Sequence, residues 1–263
     1  MTGTNVWDAT MPYRSMSIKE VARLLGADVR RVERLAQRGE IPCQKVGGGL
    51  RFNRAEIIEW LHQQVGSLKE EHLAEVDAGI ASHRQEGAHL EASGGAPRTA
   101  PEDTVISNLL RPEAVAVHLP ARTKNSVLKE LVGLAQKTGL LYDPAGLLEA
   151  LIQREELRST ALEGGLAIPH PRRPMPYVSA TPLLVVAHTS QGIGFGAADG
   201  GLTDLFFLTC SPDDRHHLHV LARLCRLLRD PRLADDLRQA ASPEQIISRL
   251  RDAEKDLLKR SEG

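Results

Sequence analysis

A chain of 263 residues is long enough for two domains with a core each, and its 41% hydrophobic and 25% charged content is that of ordinary soluble proteins. A formal net charge of −1 excludes a chain that is basic throughout, so any nucleic-acid surface must be local. Cys43, Cys210 and Cys225 stand singly, without metal-site spacing or a disulfide framework; no apolar run reaches membrane-spanning length, and Met1 to Arg14 lacks a secretory leader's charged start and apolar core, so the expected address is the cytoplasm.

After a flexible stretch, 1–14, residues 15–65 read as a small, mostly helical domain. Ser17-Ile18-Lys19-Glu20 is a capping box, in which serine and glutamate each satisfy an open backbone donor at a helix start. The helix carries Val21, Leu24 and Leu25 and stops at Gly26. Asp28 caps a second helix, with Val29, Val32, Leu35 and Ala36 on one side. At about 100° per residue, Arg30, Arg31, Arg34 and Arg38 fall in one arc roughly opposite. Ile41 to Val46, Gly47-Gly48-Gly49 and Leu50-Arg51-Phe52 predict a hairpin with Lys45 and Arg51 on its flanks, and Asn53 caps a third helix packing through Ile57, Ile58, Trp60 and Leu61. Helix, turn, basic helix, wing, helix is the order of a winged helix-turn-helix. The string Ile-Pro-x-x-Lys-x-Gly-Gly, then Arg-Phe, Glu-Ile and Trp-Leu, resembles the excisionase and MerR-related DNA-binding domains. That resemblance implies double-stranded DNA as a partner, contacted by Arg30, Arg31, Arg34, Lys45 and Arg51. The competing reading is a solvated or protein-docking face.

Residues 66–103 read as a partly helical linker. Ser67 to Val76 has loosely helical apolar spacing, too short for a coiled coil, which leaves a homodimer open without proving one. Gly87 to Asp103 is rich in glycine and proline, and His72, His83 and His89 lack the companions of a metal site.

Residues 104–258 predict an α/β or α+β domain, followed by a tail at 259–263. Ala114 to Leu119 is a candidate strand and Lys124 to Lys137 a helix. Asp143-Pro144 starts another that runs to Arg154, and Leu183 to Ala187 and Leu205 to Thr209 have buried-strand character. Between them Gly164-Gly165-Leu166-Ala167-Ile168-Pro169-His170 is a short apolar rise out of a glycine pair, stopped by Pro169, which sets His170 at a strand end where site residues gather. A neutral imidazole nitrogen is a nucleophile near neutral pH without a strong base, so His170 can carry a group covalently. In a helix from Asp213, His217 shares a stripe with Leu221, Leu224 and Leu228. His216, His219, Arg223 and Arg226 lie on another side, so that only His217 is expected to face inward. A satisfied core histidine is the competing reading of His217. Pro231 and Ser242-Pro243-Glu244 start two final helices, read as packing without chemistry.

The run from Arg154 to His170, Arg-Glu-Glu-Leu-Arg-Ser-Thr-Ala-Leu-Glu-Gly-Gly-Leu-Ala-Ile-Pro-His, resembles the active-site signature of enzyme IIA of the phosphoenolpyruvate-dependent phosphotransferase system, of the mannitol/fructose and nitrogen-regulatory subtype. The likeness implies a mixed sheet flanked by helices, and His170 as acceptor of a phosphoryl group from a histidine phosphocarrier protein. His217 and Arg154 would attend the phosphoryl oxygens, and Ser159, Thr160 and Asp199 would lie near the site. It implies no cofactor and no metal: a phosphoryl carrier rather than a turnover enzyme. Pro171 departs from the family pattern, which usually has a small residue after the histidine; Arg172 and Arg173 can replace the lost N–H or recognise a carrier surface. The expected function is therefore a DNA-binding regulator that couples phosphotransferase status to transcription. The alternatives are a phosphoryl relay to a sugar permease with the front module used for docking, or a DNA-binding protein whose second domain no longer takes phosphate.

Overall fold

The computed structural model describes residues 15–64 except Gly26, then Leu73, Ala74 and Asp77, then 105–262 except Ala180. The readings for Met1 to Arg14, for Gly87 to Asp103 and for His72, His83 and His89 lie outside the described residues, as does most of the Ser67 to Val76 segment. The chain divides into two units, Met1–Ser93 and Gly94–Gly263.

In the first unit, β1 (Ser15–Ser17) leads into α1 (Ile18–Leu24), then α2 (Val29–Gln37), β2 (Gln44–Val46), β3 (Gly49–Asn53) and α3 (Arg54–Gln64). The caps are those the residues dictate. Ser17 Oγ accepts from the Glu20 amide at 3.3 Å while the Ser17 amide donates to Glu20 Oε2 at 2.7 Å, closing the box. Asp28 accepts from the Arg31 amide, and Asn53 from the amides of Ala55 and Glu56. Val21, Val32, Ile41, Phe52, Ile57 and Leu61 form the core. The wing is a two-residue turn rather than one of three glycines: Val46 pairs with Gly49, and Gly47 and Gly48, at φ +57° and +79°, take the left-handed conformations that only glycine adopts cheaply. A strand the sequence reading omitted, β1, pairs antiparallel with β3 on the side away from β2, giving the order β1-β3-β2.

The described residues of the second unit start with two short 3₁₀ turns, Ile106–Leu109 and Pro112–Ala114, followed by β4 (Val115–Leu119), α4 (Lys124–Lys137) and α5 (Pro144–Leu157). A small hairpin, β5 (Ala161–Leu162) and β6 (Leu166–Ala167), precedes the long strands β7 (Leu183–Ile193) and β8 (Thr203–Cys210). The helices α6 (Asp214–Leu227), α7 (Pro231–Arg238) and α8 (Pro243–Glu262) close the chain. The five-stranded sheet has the order β4-β7-β8-β6-β5; β4 is parallel to β7, β8 is parallel to β6, and the other two pairings are antiparallel. It is the expected mixed sheet flanked by helices. Alternate residues divide between its faces: Val185, Ala187, Phe206 and Leu208 join Leu128, Leu131, Leu147 and Leu151 of α4 and α5 in one core. Leu184, Val186, Leu205 and Phe207 are equally buried on the other face, where α6 meets β8 and α8 meets β4. Strands with no wet face explain the unbroken apolar runs.

Candidate functional site

His170 lies three residues beyond β6. The backbone there is fixed on both sides, since the Ile168 amide donates to Thr160 O at 3.1 Å and the Thr209 amide of β8 donates to Pro169 O at 3.0 Å. β6 and β8 are parallel, so the chain leaving β6 at His170 and the chain leaving β8 toward α6 emerge at the same end of the sheet. His217 stands on the first turn of α6. The two imidazoles, 47 positions apart in the numbering, are both buried, with ring centroids 5.5 Å apart and planes tilted by 58°. Ligand chemistry commonly gathers at the carboxyl ends of parallel strands.

The ring of His170 is oriented by its own backbone. Nδ1 lies 2.7 Å from the Ile168 carbonyl oxygen, which can only accept, so Nδ1 carries the proton. Nε2 then holds the in-plane lone pair, and it is the atom able to attack.

Arg154 is buried on the last turn of α5, where Nη1 donates to Arg158 O at 2.6 Å. Its neighbour Glu155, also buried, accepts from the Thr160 amide at 3.0 Å and from the Thr160 hydroxyl, and pairs with Lys124 Nζ at 3.3 Å. Because Thr160 O in turn holds Ile168, a continuous set of hydrogen bonds runs from the end of α5 to the carbonyl that orients His170. Glu155 and Lys124 are not among the site residues expected from the sequence, where one is part of the signature run and the other a helix start; an acid next to the signature's first arginine is the available signal. Ser159 Oγ donates to Phe195 O at 2.9 Å, and Lys124 Nζ sits 5.0 Å above the Phe195 ring. Asp199 is exposed and takes up the Gly201 amide at 2.9 Å, closing its own turn. Arg172 and Arg173 are exposed just past His170, whereas Pro171 is buried.

The expectation that only His217 of its helix faces inward is corrected. His219, Arg223 and Arg226 are buried too, because α6 is covered on more than one side: β8 lies against it, and so do α8 and the Ile106–Leu109 turn. Arg223 Nη1 pairs with the buried carboxylate of Glu254 on α8 at 2.9 Å. His216, nearer the surface, binds its own cap through Nδ1 and Asp213 Oδ2, 2.6 Å apart. Burial pushes the Cys210 and Cys225 thiols up to about 12, which leaves both inert as nucleophiles at neutral pH. Among the described residues no group of three or more His, Cys, Asp or Glu side chains could hold a metal, and no helix is long and apolar enough to cross a membrane.

In the first unit Arg30, Arg34 and Arg38 are exposed and Arg31 is half-buried, while Val32 on the far side of α2 is buried. Lys45 and Arg51 are both exposed. The register pairs Gln44 with Arg51 and Lys45 with Leu50, which places the two basic residues on opposite faces of the hairpin.

Residues 108–253 match the family described as "Phosphoenolpyruvate-dependent sugar phosphotransferase system, EIIA 2", which is more than half of the chain. The chain belongs to the EIIA 2 family. Residues 15–65 match a second family, the helix-turn-helix domain, a DNA-binding motif. The nitrogen regulatory protein of Bradyrhizobium diazoefficiens is 36% identical over 146 residues, 54% of this chain and 92% of the relative. That of Escherichia coli K12 is 30% identical over 151 residues, 57% and 91% of the two chains. Among solved structures, nitrogen regulatory protein IIA-Ntr from Neisseria meningitidis superposes with a TM-score of 0.50 at 26% identity, over 55% of this chain and 98% of that one. This EIIA 2 protein thus joins a phosphotransfer-type domain to a helix-turn-helix.

Proposed function

We propose that this protein is a cytoplasmic DNA-binding regulator whose EIIA domain, residues 104–258, accepts a phosphoryl group on His170 from a histidine phosphocarrier and passes that state through the 66–103 connector to the 15–65 domain. The observation that carries the reading is the 2.7 Å bond from His170 Nδ1 to Ile168 O, which reserves the Nε2 lone pair for phosphorus. In the transfer a bond forms from Nε2 to phosphorus while the bond from phosphorus to the donor imidazole breaks, its electron pair returning to the donor nitrogen. No acid or base is required. The demand is for positioning and for donors to the equatorial oxygens as charge shifts. Arg154 is permanently charged and His217 stands 5.5 Å from His170, ring to ring, so both suit that role; Arg172 and Arg173 add positive charge at the rim.

The phosphoryl group adds about two negative charges at pH 7, enough to change a docked surface and bias DNA binding. On the DNA side Arg30, Arg31 and Arg34 of α2 would enter the major groove, with Lys45 and Arg51 of the wing at the backbone. Intact-mass measurement after incubation with phosphoenolpyruvate, enzyme I and the phosphocarrier tests the acceptor. An acid-labile adduct on the wild type and none on His170→Ala is expected; no adduct, with the carrier itself phosphorylated, overturns it. Unchanged DNA affinity after verified phosphorylation of His170 removes the coupling.

A further inference from the structure

The histidine that this reading makes the acceptor depends on a carbonyl, Ile168 O, only two residues upstream in a hairpin whose strands are two residues long. Strands that short, at the edge of a sheet and joined through two glycines, are too weakly paired to fix a ring by themselves. Something else holds the turn. Arg238, the last residue of α7, donates from Nη2 to Gly164 O at 2.6 Å. The same guanidinium grips the carboxylate of Asp204 on β8, through Nε at 2.9 and 3.1 Å and Nη2 at 2.8 Å. Asp204 closes the loop from its own backbone: its amide and that of Leu205 donate to Gly165 O at 2.9 and 3.1 Å. The arginine rests on a firm base, since Leu233, Ala234 and Leu237 of α7 are buried, and a cation at a helix carboxyl end is favoured by the dipole. A planar fork with several donors in fixed geometry can bridge a carbonyl and a carboxylate at once, which a lysine cannot reproduce.

The second glycine of the signature acquires a reason from this. Gly165 has φ +80°, and a Cβ placed on it would lie 2.8 Å from Arg238 Nη2 and 2.9 Å from Asp204 Oδ1. Gly164, at φ +79°, has open space around its missing Cβ. The first glycine is there for the turn; the second lets the arginine and the aspartate close over it.

We infer that Arg238 and Asp204 are positioning residues for phosphoryl transfer: together they latch the Gly164-Gly165 turn against β8 and so keep the Ile168 carbonyl where it fixes His170 in the Nδ1–H tautomer. Neither touches the reacting atoms. The inference rests on His170 being the acceptor for its consequence on rate, and on geometry alone for its consequence on the ring. His188 Nε2 lies 3.8 Å from Asp204 Oδ2 and Asp235 lies 3.2 Å from Arg238 Nη1, and Glu163 adjoins the turn in sequence.

The test is nitrogen NMR of the full chain carrying labelled histidine, read together with phosphorylation kinetics. Wild-type His170 should give one Nδ1–H signature. Arg238→Ala should convert it to a tautomer mixture and lower the maximal rate of phosphoryl acceptance by about tenfold or more, with the KM for the phosphocarrier unchanged, because misplaced reacting groups lose rate rather than docking. Arg238→Lys should recover only part. Asp204→Asn, which keeps the side-chain size, should behave like Arg238→Ala and serves if the alanine variant does not fold. An unchanged tautomer in folded Arg238→Ala or Asp204→Asn overturns the latch, and so does a wild-type ring with mixed tautomers. The NMR needs no phosphoryl donor, so failure of wild-type His170 to accept phosphate would sink the proposed function while the ring signature still decided the latch.

Discussion

Glu254 is the charged group on which the second unit should depend most. Its carboxylate is fully buried and accepts three hydrogen bonds, each of 2.9 Å: from the amides of Ile106 and Ser107, where the unit's described residues begin, and from Arg223 Nη1. Glu254→Ala breaks a buried ion pair with the Arg223 guanidinium, an effect of about 3–5 kcal/mol, and leaves two buried amides without this acceptor, about 1–3 kcal/mol each in isolation. These effects share one site and do not add, so a net loss of about 4 kcal/mol is expected. With a urea slope of about 2 kcal/mol/M the midpoint should fall by about 2 M. A two-unit chain does not unfold in one step, but both tryptophans, Trp7 and Trp60, precede residue 93 and so separate the signals. Far-ultraviolet circular dichroism should show the shift while tryptophan emission keeps its midpoint. Arg232→Ala is the control: its 3.1 Å pair with Asp230 has the arginine 82% exposed, and losing it should move neither signal. If Glu254→Ala shifts the circular dichroism midpoint no further than Arg232→Ala, the argument from burial is wrong.

Two further outcomes follow from the same reasoning. Removing Arg30 or Arg34, both exposed on α2, should weaken binding to mixed-sequence duplex DNA and lower the salt slope by about one unit each, as phosphate ligands do; an unchanged slope in a salt titration would assign that face to solvent or to a protein. Thiol labelling in native buffer should modify Cys43, which is half-exposed, and should reach Cys210 and Cys225 only on unfolding. The folded thiols titrate near 12 against an ordinary 9.0, so the folded state holds those protons more tightly. The stability they contribute is complete below pH 9 and is lost as pH rises from 9 toward 12, which alkaline unfolding of Cys210→Ala beside wild type would reveal as a flatter profile.

Local chemistry in this chain was legible because its signals span three or four residues. The Ser17–Glu20 box, the caps at Asp28, Asn53 and Asp143, and the start of α4 stand where side-chain oxygens meet open amides within one helical turn. Strands were less legible. β1 is three residues long and owes its existence to β3, and β7 runs on to Ile193, beyond the apolar core of its sequence, because β8 continues to pair with it. Helical patterning also misled at α6, since the rule that one face is wet assumes a helix on the surface, and this one is enclosed.

The sequence by itself determined the two units and their order, the caps, the basic arc of α2 and the histidine at the end of its apolar run, all consequences of short-range hydrogen bonding and hydrophobic period. Only the tertiary structure decided that Arg223 answers Glu254 at 31 residues' distance, and that Arg238, in a helix that reads as packing alone, reaches back 74 residues to the glycine pair. Such contacts leave no periodic trace in a single sequence, because they are set by which strands lie side by side and end together, and that is settled by burying both faces of the sheet at once.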